Sequence, residues 1–115
     1  MAKGDNLGDF EQLVLTAVIL VGKDAYGLKV YDKVSALCGG SRNVSLAAVY
    51  TTLDRLDQKG HCKSWQSDPT AERGWKMKRF YEVTALGSKA LNASMIVSAK
   101  MVDGLREIGQ LFGQL

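Results

Sequence analysis

The spacing of apolar residues along this chain changes character at Gly60. Before that glycine, apolar residues recur every three or four positions, which is the spacing of amphipathic helices. After it, residues 62–66 lose the helical stripe and residues 76–83 are rich in β-formers, with turn-forming residues between them, so the two segments predict a β-hairpin. The chain then returns to helical character. The predicted order is three helices, a hairpin and one long helix.

Glycines and capping residues mark where the predicted helices begin and end. The first helix is predicted over residues 10–21, with Asp9 as its N-cap and Gln12 at the capping-box position three residues later. Gly22 ends this helix, as glycines commonly do. The second helix is predicted over residues 26–37 and stops before a pair of glycines.

The third predicted helix, over residues 46–59, carries the clearest helical stripe. It begins after Ser45, whose hydroxyl suits an N-cap, and it ends before Gly60. Its apolar residues recur at steps of three and four and so belong to one face: Leu46, Val49, Leu53 and Leu56. After the hairpin, Thr84 is predicted to cap a last helix that fills residues 85–115.

Size and composition favour one ordinary globular unit. The chain has 115 residues, 46% hydrophobic and 23% charged, with a net charge of +3, so it is too apolar for disorder and too short for two separate folded domains. The apolar run at residues 13–21 is too short to span a bilayer, and acidic residues precede it. We therefore expect a core helix of a cytoplasmic protein without a membrane partner.

The few cysteines and histidines limit the chemistry open to this chain. Cys38 and Cys62 lack the spacing of a metal or redox site and are expected to be small buried hydrophobes. The lone His61 excludes histidine-based triads and paired-histidine zinc sites; we expect a hydrogen-bonded or exposed structural histidine, with pH sensing as the alternative. No glycine-rich phosphate loop is present. The sequence thus predicts no enzyme, catalytic residue, metal site or cofactor.

The third predicted helix offers a face that could approach DNA. Small and hydroxylated residues, with one arginine, lie opposite the leucine stripe: Ala48, Thr51, Thr52 and Arg55. Small side chains let a helix approach a groove closely, and an arginine can reach a phosphate or a guanine edge. A plain solvated face is the alternative.

The hairpin concentrates the positive charge of the chain. Residues 63–79 carry five basic and two acidic side chains, so their net charge of +3 equals that of the whole protein. Such a basic loop beside aromatic residues suits contact with a phosphate backbone, although basic residues can also simply protect strand edges. The aromatic residues at 65, 75, 80 and 81 interleave with these charges, and we expect Trp65 and Phe80 to belong to the core.

Together these features describe a winged helix, and four stretches resemble the PadR-type transcriptional regulators: residues 7–15, 25–27, 44–56 and 79–84. The resemblance covers residues 7–91. It implies a dimeric winged-helix repressor in which the third helix enters the major groove and the wing contacts the backbone. The chain departs from the family pattern at His61, where a leucine-like residue is usual, and at Ala85, where a proline is usual.

The resemblance also implies site residues. Those that match the recognition segment are Ser45, Ala48, Tyr50, Thr51, Thr52 and Arg55. Those that match the basic wing are Arg73, Lys76, Lys78 and Arg79. Tyr26 matches a position at the start of the second helix, where phosphate contact and packing both remain open.

The last predicted helix carries more apolar surface than so small a core can cover. A heptad-like seam and the residues that widen it form the expected dimer interface: Met95, Met101, Val102, Leu105, Ile108, Phe112 and Leu115. Packing back on residues 10–21 is the alternative. We expect residues 1–84 to form a winged-helix DNA-binding domain and residues 85–115 a dimerisation helix, joined in one compact α+β unit.

The resulting prediction is a sequence-specific regulator, a homodimeric repressor that binds a palindromic operator in double-stranded DNA. The family resemblance implies release by a signal, and an apolar small-molecule effector is expected between the last helices, where Met95 and Met101 can adapt to varied shapes. The alternative is a winged-helix module that binds an acidic protein partner.

Overall fold

The computed structural model describes residues 7–40, 43–67 and 78–113, without the side chains of residues 111–113. Its elements follow the chain in this order: α1 (Asp9–Val21), α2 (Gly27–Cys38), α3 (Leu46–Gln58), β1 (Cys62–Gln66), β2 (Arg79–Val83) and α4 (Ala85–Gly113). This order confirms the predicted one, and the first three helices lie within one residue of their predicted bounds. The predicted turn and the start of the second predicted strand lie outside the described residues.

The cap of α1 differs from the prediction. Gly8 is the N-cap, and its backbone N–H donates to Oε1 of Glu11 at 3.0 Å. Gln12 instead donates from Nε2 to the Leu7 carbonyl at 3.1 Å. The predicted cap at Asp9 with Gln12 is therefore wrong. The other oxygen of Glu11 accepts a 2.8 Å hydrogen bond from Lys59, which holds the carboxylate in place from outside α1. The spacing of capping residues does not predict this contact, because Lys59 is distant in sequence.

The core lies among α1, α2 and α3. Its fully buried aliphatic side chains come from all three helices: Val14, Leu15, Val30, Val34, Val49, Leu53 and Leu56. Leu46, predicted to belong to the same stripe of α3, is exposed because it lies in the first turn, beyond the edge of this core. Burial of these branched side chains fixes how each helix is rotated about its own axis.

The hairpin is antiparallel, with Trp65 opposite Phe80 and Ser64 opposite Tyr81. Both Phe80 and Tyr81 are buried, so both faces of β2 are covered. The Tyr81 backbone N–H also donates to the Ala25 carbonyl at 2.8 Å, which attaches the hairpin to the segment before α2. The predicted place of Trp65 in the core is wrong. Its side chain is 45% exposed because this face of β1 is only partly covered, and its ring lies tilted beside Phe80, with the ring centroids 6.0 Å apart.

The junction between α3, the hairpin and α4 is tightly bonded. Thr84 Oγ1 accepts a 3.0 Å hydrogen bond from the Gly87 N–H, which confirms it as a cap of α4, and donates to the Gly60 carbonyl at 2.7 Å. His61 is 1% exposed, and its Nδ1 has no hydrogen-bond partner among the described residues. The sequence predicts an exposed or hydrogen-bonded histidine. This prediction is wrong for Nδ1, because α4 packs on the turn that contains His61 and shields the side chain from solvent.

Only the first turns of α4 pack on the rest of the molecule. Gly87, Ala90 and Leu91 are buried, whereas every residue from 95 to 110 except Gly104 is exposed. With 29 residues, α4 is about 43 Å long at 1.5 Å per residue. Packing of this helix wholly against α1 is therefore excluded for the described residues. None of the helices in the described ranges is both long and apolar enough to cross a lipid bilayer.

Candidate nucleic-acid interface

The start and the rotation of α3 are set by a cap and a buried stripe. Ser45 Oγ accepts a 3.0 Å hydrogen bond from the Ala48 N–H, as expected of an N-cap. Val49, Leu53 and Leu56 are fully buried, so the opposite side of the helix faces outward. The outward residues of α3 recur at helical spacing and are Ala47, Tyr50, Thr51, Asp54, Arg55 and Gln58.

This outer face is rotated from the predicted one. Thr52 is only 5% exposed and Ala48 is half-buried, whereas Thr51 and Arg55 are exposed as expected. Thr52 is three residues after Val49 and four before Leu56, so it shares their face of the helix. Its predicted place on the binding face is wrong, because the buried side of α3 is wide enough to include position 52 beside Val49, Leu53 and Leu56.

The outer face contains residues that sequence reasoning missed. Ala47, Asp54 and Gln58 lie on it together with Tyr50 and Thr51. A helical wheel centred opposite Val49, Leu53 and Leu56 would have found them. Asp54 gives the face a carboxylate, which can accept a hydrogen bond from a cytosine amino group and opposes close approach to phosphates.

Tyr50 connects α3 to the start of α2. Its ring lies against the backbone of Gly27, and a Cβ at position 27 would overlap that ring. The absence of a side chain at Gly27 therefore allows Tyr50 to rest on α2. This contact places the outer face of α3 beside the residues at the start of α2.

Tyr26 lies at that start, between the helix and the base of the hairpin. Its ring meets Phe80 edge-on, with the ring centroids 6.1 Å apart and an interplanar angle of 82°. The ammonium of Lys78, just before β2, lies 3.8 Å from the centroid of the Tyr26 ring. Lys29 of α2 places its ammonium 5.3 Å from the same centroid. The ring of Tyr26 thus packs against Phe80 and also has two lysine ammonium groups near it.

Arg79 is paired with an acidic residue of α3. Its Nη2 lies 3.7 Å from Asp57 Oδ2, which also accepts a 2.6 Å hydrogen bond from Ser64 Oγ. The pair is partly exposed, so it contributes little to stability. It does join α3 to both strands. The other predicted wing residues, Arg73 and Lys76, lie outside the described residues.

A partly buried ion pair fixes the other end of α3. Lys59, the C-cap of α3, donates to Glu11 Oε2 at 2.8 Å. Burial by itself would raise the pKa of the Glu11 carboxyl, but the hydrogen bonds from Lys59 and the Gly8 backbone, with the charges of Lys59 and Arg55, hold the pKa below its usual value. The carboxyl is therefore ionised at neutral pH and ties α3 to the beginning of α1.

The hairpin also borders a cavity with both apolar and charged residues in its lining. It has a volume of about 540 Å³ and lies between the end of α1, the hairpin and the beginning of α4. Its lining includes Val18, Ile19, Trp65, Tyr81 and Val83. Neither Met95 nor Met101 belongs to this lining, so it is not the effector site expected from the sequence.

Two buried groups near α3 keep their protons at neutral pH. Burial, with the charges of Asp57 and Asp54, raises the pKa of the Cys62 thiol to about 12. Burial, with the charge of Asp54, raises the pKa of Tyr81 to about 12 as well. A protonated, buried Cys62 matches the small hydrophobe that the sequence predicts.

The sequence profile of the Transcriptional regulator PadR-like family matches residues 15–93, well over half of the chain. The matched region includes α2, α3, the hairpin and the start of α4. The chain belongs to the PadR-like family of transcriptional regulators. The members of this family are transcriptional regulators and not enzymes. No curated protein sequence matches the chain significantly.

Solved structures share the fold of this PadR-like regulator. A PadR family transcriptional regulator from Eggerthella lenta DSM 2243 matches with a TM-score of 0.65 and 18% identity, over 84% of this chain and 80% of that chain. TA0346 from Thermoplasma acidophilum, a candidate transcriptional regulator, matches with a TM-score of 0.56 and 17% identity, over 84% of this chain and 90% of that chain. At such identities the likeness concerns the fold alone, which is a winged helix.

The ORC1 protein of Aeropyrum pernix, solved in complex with DNA, also contains this fold. The match has a TM-score of 0.65 and 22% identity, and it covers 84% of the PadR-like chain and 26% of the ORC1 chain. The PadR-like regulator thus spans about a quarter of the length of that protein.

The geometry brings some predicted site residues of the PadR-like regulator together and separates others. Contacts through Gly27 and Phe80 connect Tyr50, Tyr26 and Lys78 at the beginning of α2. Thr52 is turned into the protein. The predicted dimer residues Met95, Met101, Val102, Leu105 and Ile108 are all exposed. The side chains of Phe112 and Leu115 lie outside the described residues.

Proposed function

We propose that this PadR-like regulator is a sequence-specific DNA-binding repressor that acts as a homodimer in the cytoplasm. The observation that carries the proposal is the outer face of α3, which presents Tyr50, Thr51 and Arg55 to solvent while a cap and a buried stripe hold the helix in place. The major groove admits one α-helix, and side chains of this kind can bond base edges there.

The charge distribution supports contact with the DNA backbone beside that groove. Lys29 and Lys78 lie at the start of α2 and at the base of the hairpin, over the ring of Tyr26, whose neighbour in the chain, Gly27, contacts Tyr50 of α3. Contacts to phosphates position a protein on the duplex, and contacts to base edges give specificity. We therefore assign positioning to the lysines and sequence reading to Thr51 and Arg55.

The surface of α4 supports a homodimer. The face that packs on the body through Gly87 and Leu91 continues at steps of three and four as Met101, Leu105 and Ile108, all of them exposed. Contact with a second copy would remove this apolar stripe from water, which is favourable. In this proposal residues 85–115 pair with the same residues of a second copy, while residues 1–84 bind DNA.

A dimer of this kind requires a two-fold related operator. Two copies of α3 would enter successive major grooves about 34 Å apart, which corresponds to half-sites about one helical turn apart. An apolar ligand held between the two α4 helices, near Met95 and Met101, would change that separation and release the repressor.

Selection of bound duplexes from a random library, at about 0.15 M salt without added ligand, tests the proposal directly. We expect enrichment of a palindrome, whose half-site spacing gives the separation of the two α3 helices. An Arg55→Ala variant should then relax specificity at one position of each half-site, at a cost of about 1–3 kcal/mol. Recovery of unrelated sequences would overturn the proposal and favour a winged helix that binds an acidic protein.

A further inference from the structure

The ring of Tyr26 holds lysines from two different elements. Lys78 belongs to the base of the hairpin and Lys29 to α2, and their ammonium groups lie 3.8 Å and 5.3 Å from the ring centroid. The backbone of Lys78 is also fixed: its N–H donates to Ser67 Oγ at 3.1 Å, and its carbonyl accepts from the Ser67 N–H at 2.8 Å. Attraction of a cation to an aromatic face stabilises this arrangement.

The ring itself has little freedom. Tyr26 packs edge-on against the buried Phe80, and the two residues also form an isolated antiparallel β-bridge. The ring is therefore a fixed support on which the flexible side chains of Lys29 and Lys78 rest. Ordering them in the free protein lowers the entropy that they lose on binding a ligand.

Both ammonium groups lie within 5.3 Å of the Tyr26 ring centroid, so they gather positive charge in one patch around this ring, which would attract an anion. Within the described residues, neither Lys29 nor Lys78 is ion-paired with a carboxylate. Like charges gathered in this way repel one another, and an anion bound between them relieves the repulsion. The patch adjoins Gly27, on which Tyr50 of α3 rests, so an anion there would lie beside the proposed reading helix.

We propose that Tyr26 is a positioning residue that gathers Lys29 and Lys78 into a clamp for one DNA backbone phosphate. The proposal rests on the proposed function and adds Lys29, which sequence reasoning did not find. It assigns the role of Tyr26 to its ring face and not to its hydroxyl. If Tyr26 contacted DNA directly, its hydroxyl group would be essential. If it positions the two lysines, its aromatic ring is essential and the hydroxyl group is not.

Binding to the selected operator, measured as a function of salt concentration, tests the clamp. Lys29→Gln and Lys78→Gln should each weaken binding to all duplexes and reduce the slope of log affinity against log salt by about one. Lys89→Gln removes the same charge from an exposed position on α4 and should leave the slope unchanged. An effect of Lys29→Gln no larger than that of Lys89→Gln would overturn the clamp.

Two variants of Tyr26 separate its ring from its hydroxyl. Tyr26→Phe keeps the ring and should retain the wild-type slope, whereas Tyr26→Leu should lose as much as Lys78→Gln. Adding Lys78→Gln to Tyr26→Leu should then change the slope by less than the sum of the two. An equal loss in Tyr26→Phe and Tyr26→Leu would show direct contact by the hydroxyl and contradict the positioning role.

Thermal unfolding of each variant shows whether the substitution has disrupted the fold. Should Tyr26→Leu unfold, the Lys29→Gln and Lys78→Gln variants, alone and combined, decide whether the clamp exists. Neither lysine belongs to the core, so these substitutions should not disturb the fold. A wild-type protein that binds no duplex would overturn the proposed function and the clamp together. Wild-type binding with unchanged slopes in the lysine variants would overturn the clamp alone.

Discussion

Two glycines of α4 show how far the role of one residue depends on its surroundings. Gly87 is buried where α4 meets the turn after α3, and a Cβ there would overlap the backbone carbonyl of His61. Nothing lies within 4 Å of a Cβ built at Gly104. Glycine is a weak helix former at either position, but only Gly87 is required by the packing.

Gly87→Ala should destabilise the protein by about 2 kcal/mol or more, because the new methyl group meets backbone atoms that cannot rotate away. Chemical denaturation at neutral pH measures the change. Gly104→Ala is the matched control, and we expect it to stabilise the protein by about 0.5–1 kcal/mol, since alanine favours a helix. Equal effects of the two substitutions would contradict the close packing of α4 on His61.

The pair of Glu11 and Lys59 makes stability depend on pH. Because the folded-state pKa of Glu11 lies below its ordinary value of 4.5, the ionised carboxyl stabilises the folded state above that pH. The stabilisation is lost as the pH falls below about 4.5 toward the lower pKa of the folded state.

Glu11→Gln should lower the free energy of unfolding at pH 7 by about 1–3 kcal/mol, since it removes a charged hydrogen bond to a half-buried lysine. The difference from wild type should shrink as the pH falls below 4.5. Unfolding measured from pH 3 to pH 7 checks both points. Glu107→Gln, at an exposed position of α4, is the control, and a similar pH dependence of its effect would count against the Glu11 assignment.

Helix α3 owes its start to a single side chain. The hydroxyl of Ser45 accepts the Ala48 N–H at 3.0 Å, and this end of the helix is exposed. The same residue belongs to the proposed DNA surface. Its two roles can be separated, because an aspartate also caps a helix but brings a negative charge toward the phosphates.

Ser45→Ala should lower stability by about 1 kcal/mol, whereas Ser45→Asp should keep the stability and still weaken DNA binding several-fold. Thermal unfolding and titration with the selected operator measure the two effects. Ser88→Asp adds the same charge at an exposed position in the first turn of α4, which packs near the opposite end of α3 from Ser45, and should leave binding unchanged. Unimpaired binding by Ser45→Asp would remove the start of α3 from the DNA surface.

The elements were predicted from the sequence far better than the faces they present. The caps Ser45 and Thr84 and the order of helices and strands follow from local chemistry, which the chain displays directly. The burial of Thr52 and the fixing of Glu11 depend on neighbours that are distant in sequence. The support that Tyr26 gives to Lys29 and Lys78 likewise arises only after the hairpin has folded against α2.

The long exposed part of α4 is the most unusual feature of this protein. Leu105 is 64% exposed, and Met101 and Ile108 are exposed on the same face. A lone folded chain gains nothing from such a stripe. The proposed homodimer explains this exposed stripe. A homodimer also makes the stability of the protein depend on its concentration.

Leu105→Glu should convert the dimer to a monomer at micromolar concentration, because it places a charge in an apolar seam without a partner. Analytical ultracentrifugation measures the change, and binding to a palindromic operator should weaken with it. Gln110→Glu adds a charge on the opposite side of α4 and should leave the dimer intact. A wild-type protein that is monomeric at the same concentration would contradict the assignment of α4.

In the proposed homodimer, the exposed length of α4 would also act as a lever. The helix leaves the body after Leu91 and extends about 25 Å to Ile108 at 1.5 Å per residue, with exposed side chains along most of the way. A tilt of about 8° at its base would displace the far end by about 3.4 Å, the rise of one base pair. In the proposed homodimer, small adjustments of packing around Gly87 would therefore change the separation of the two α3 helices by a distance of this order.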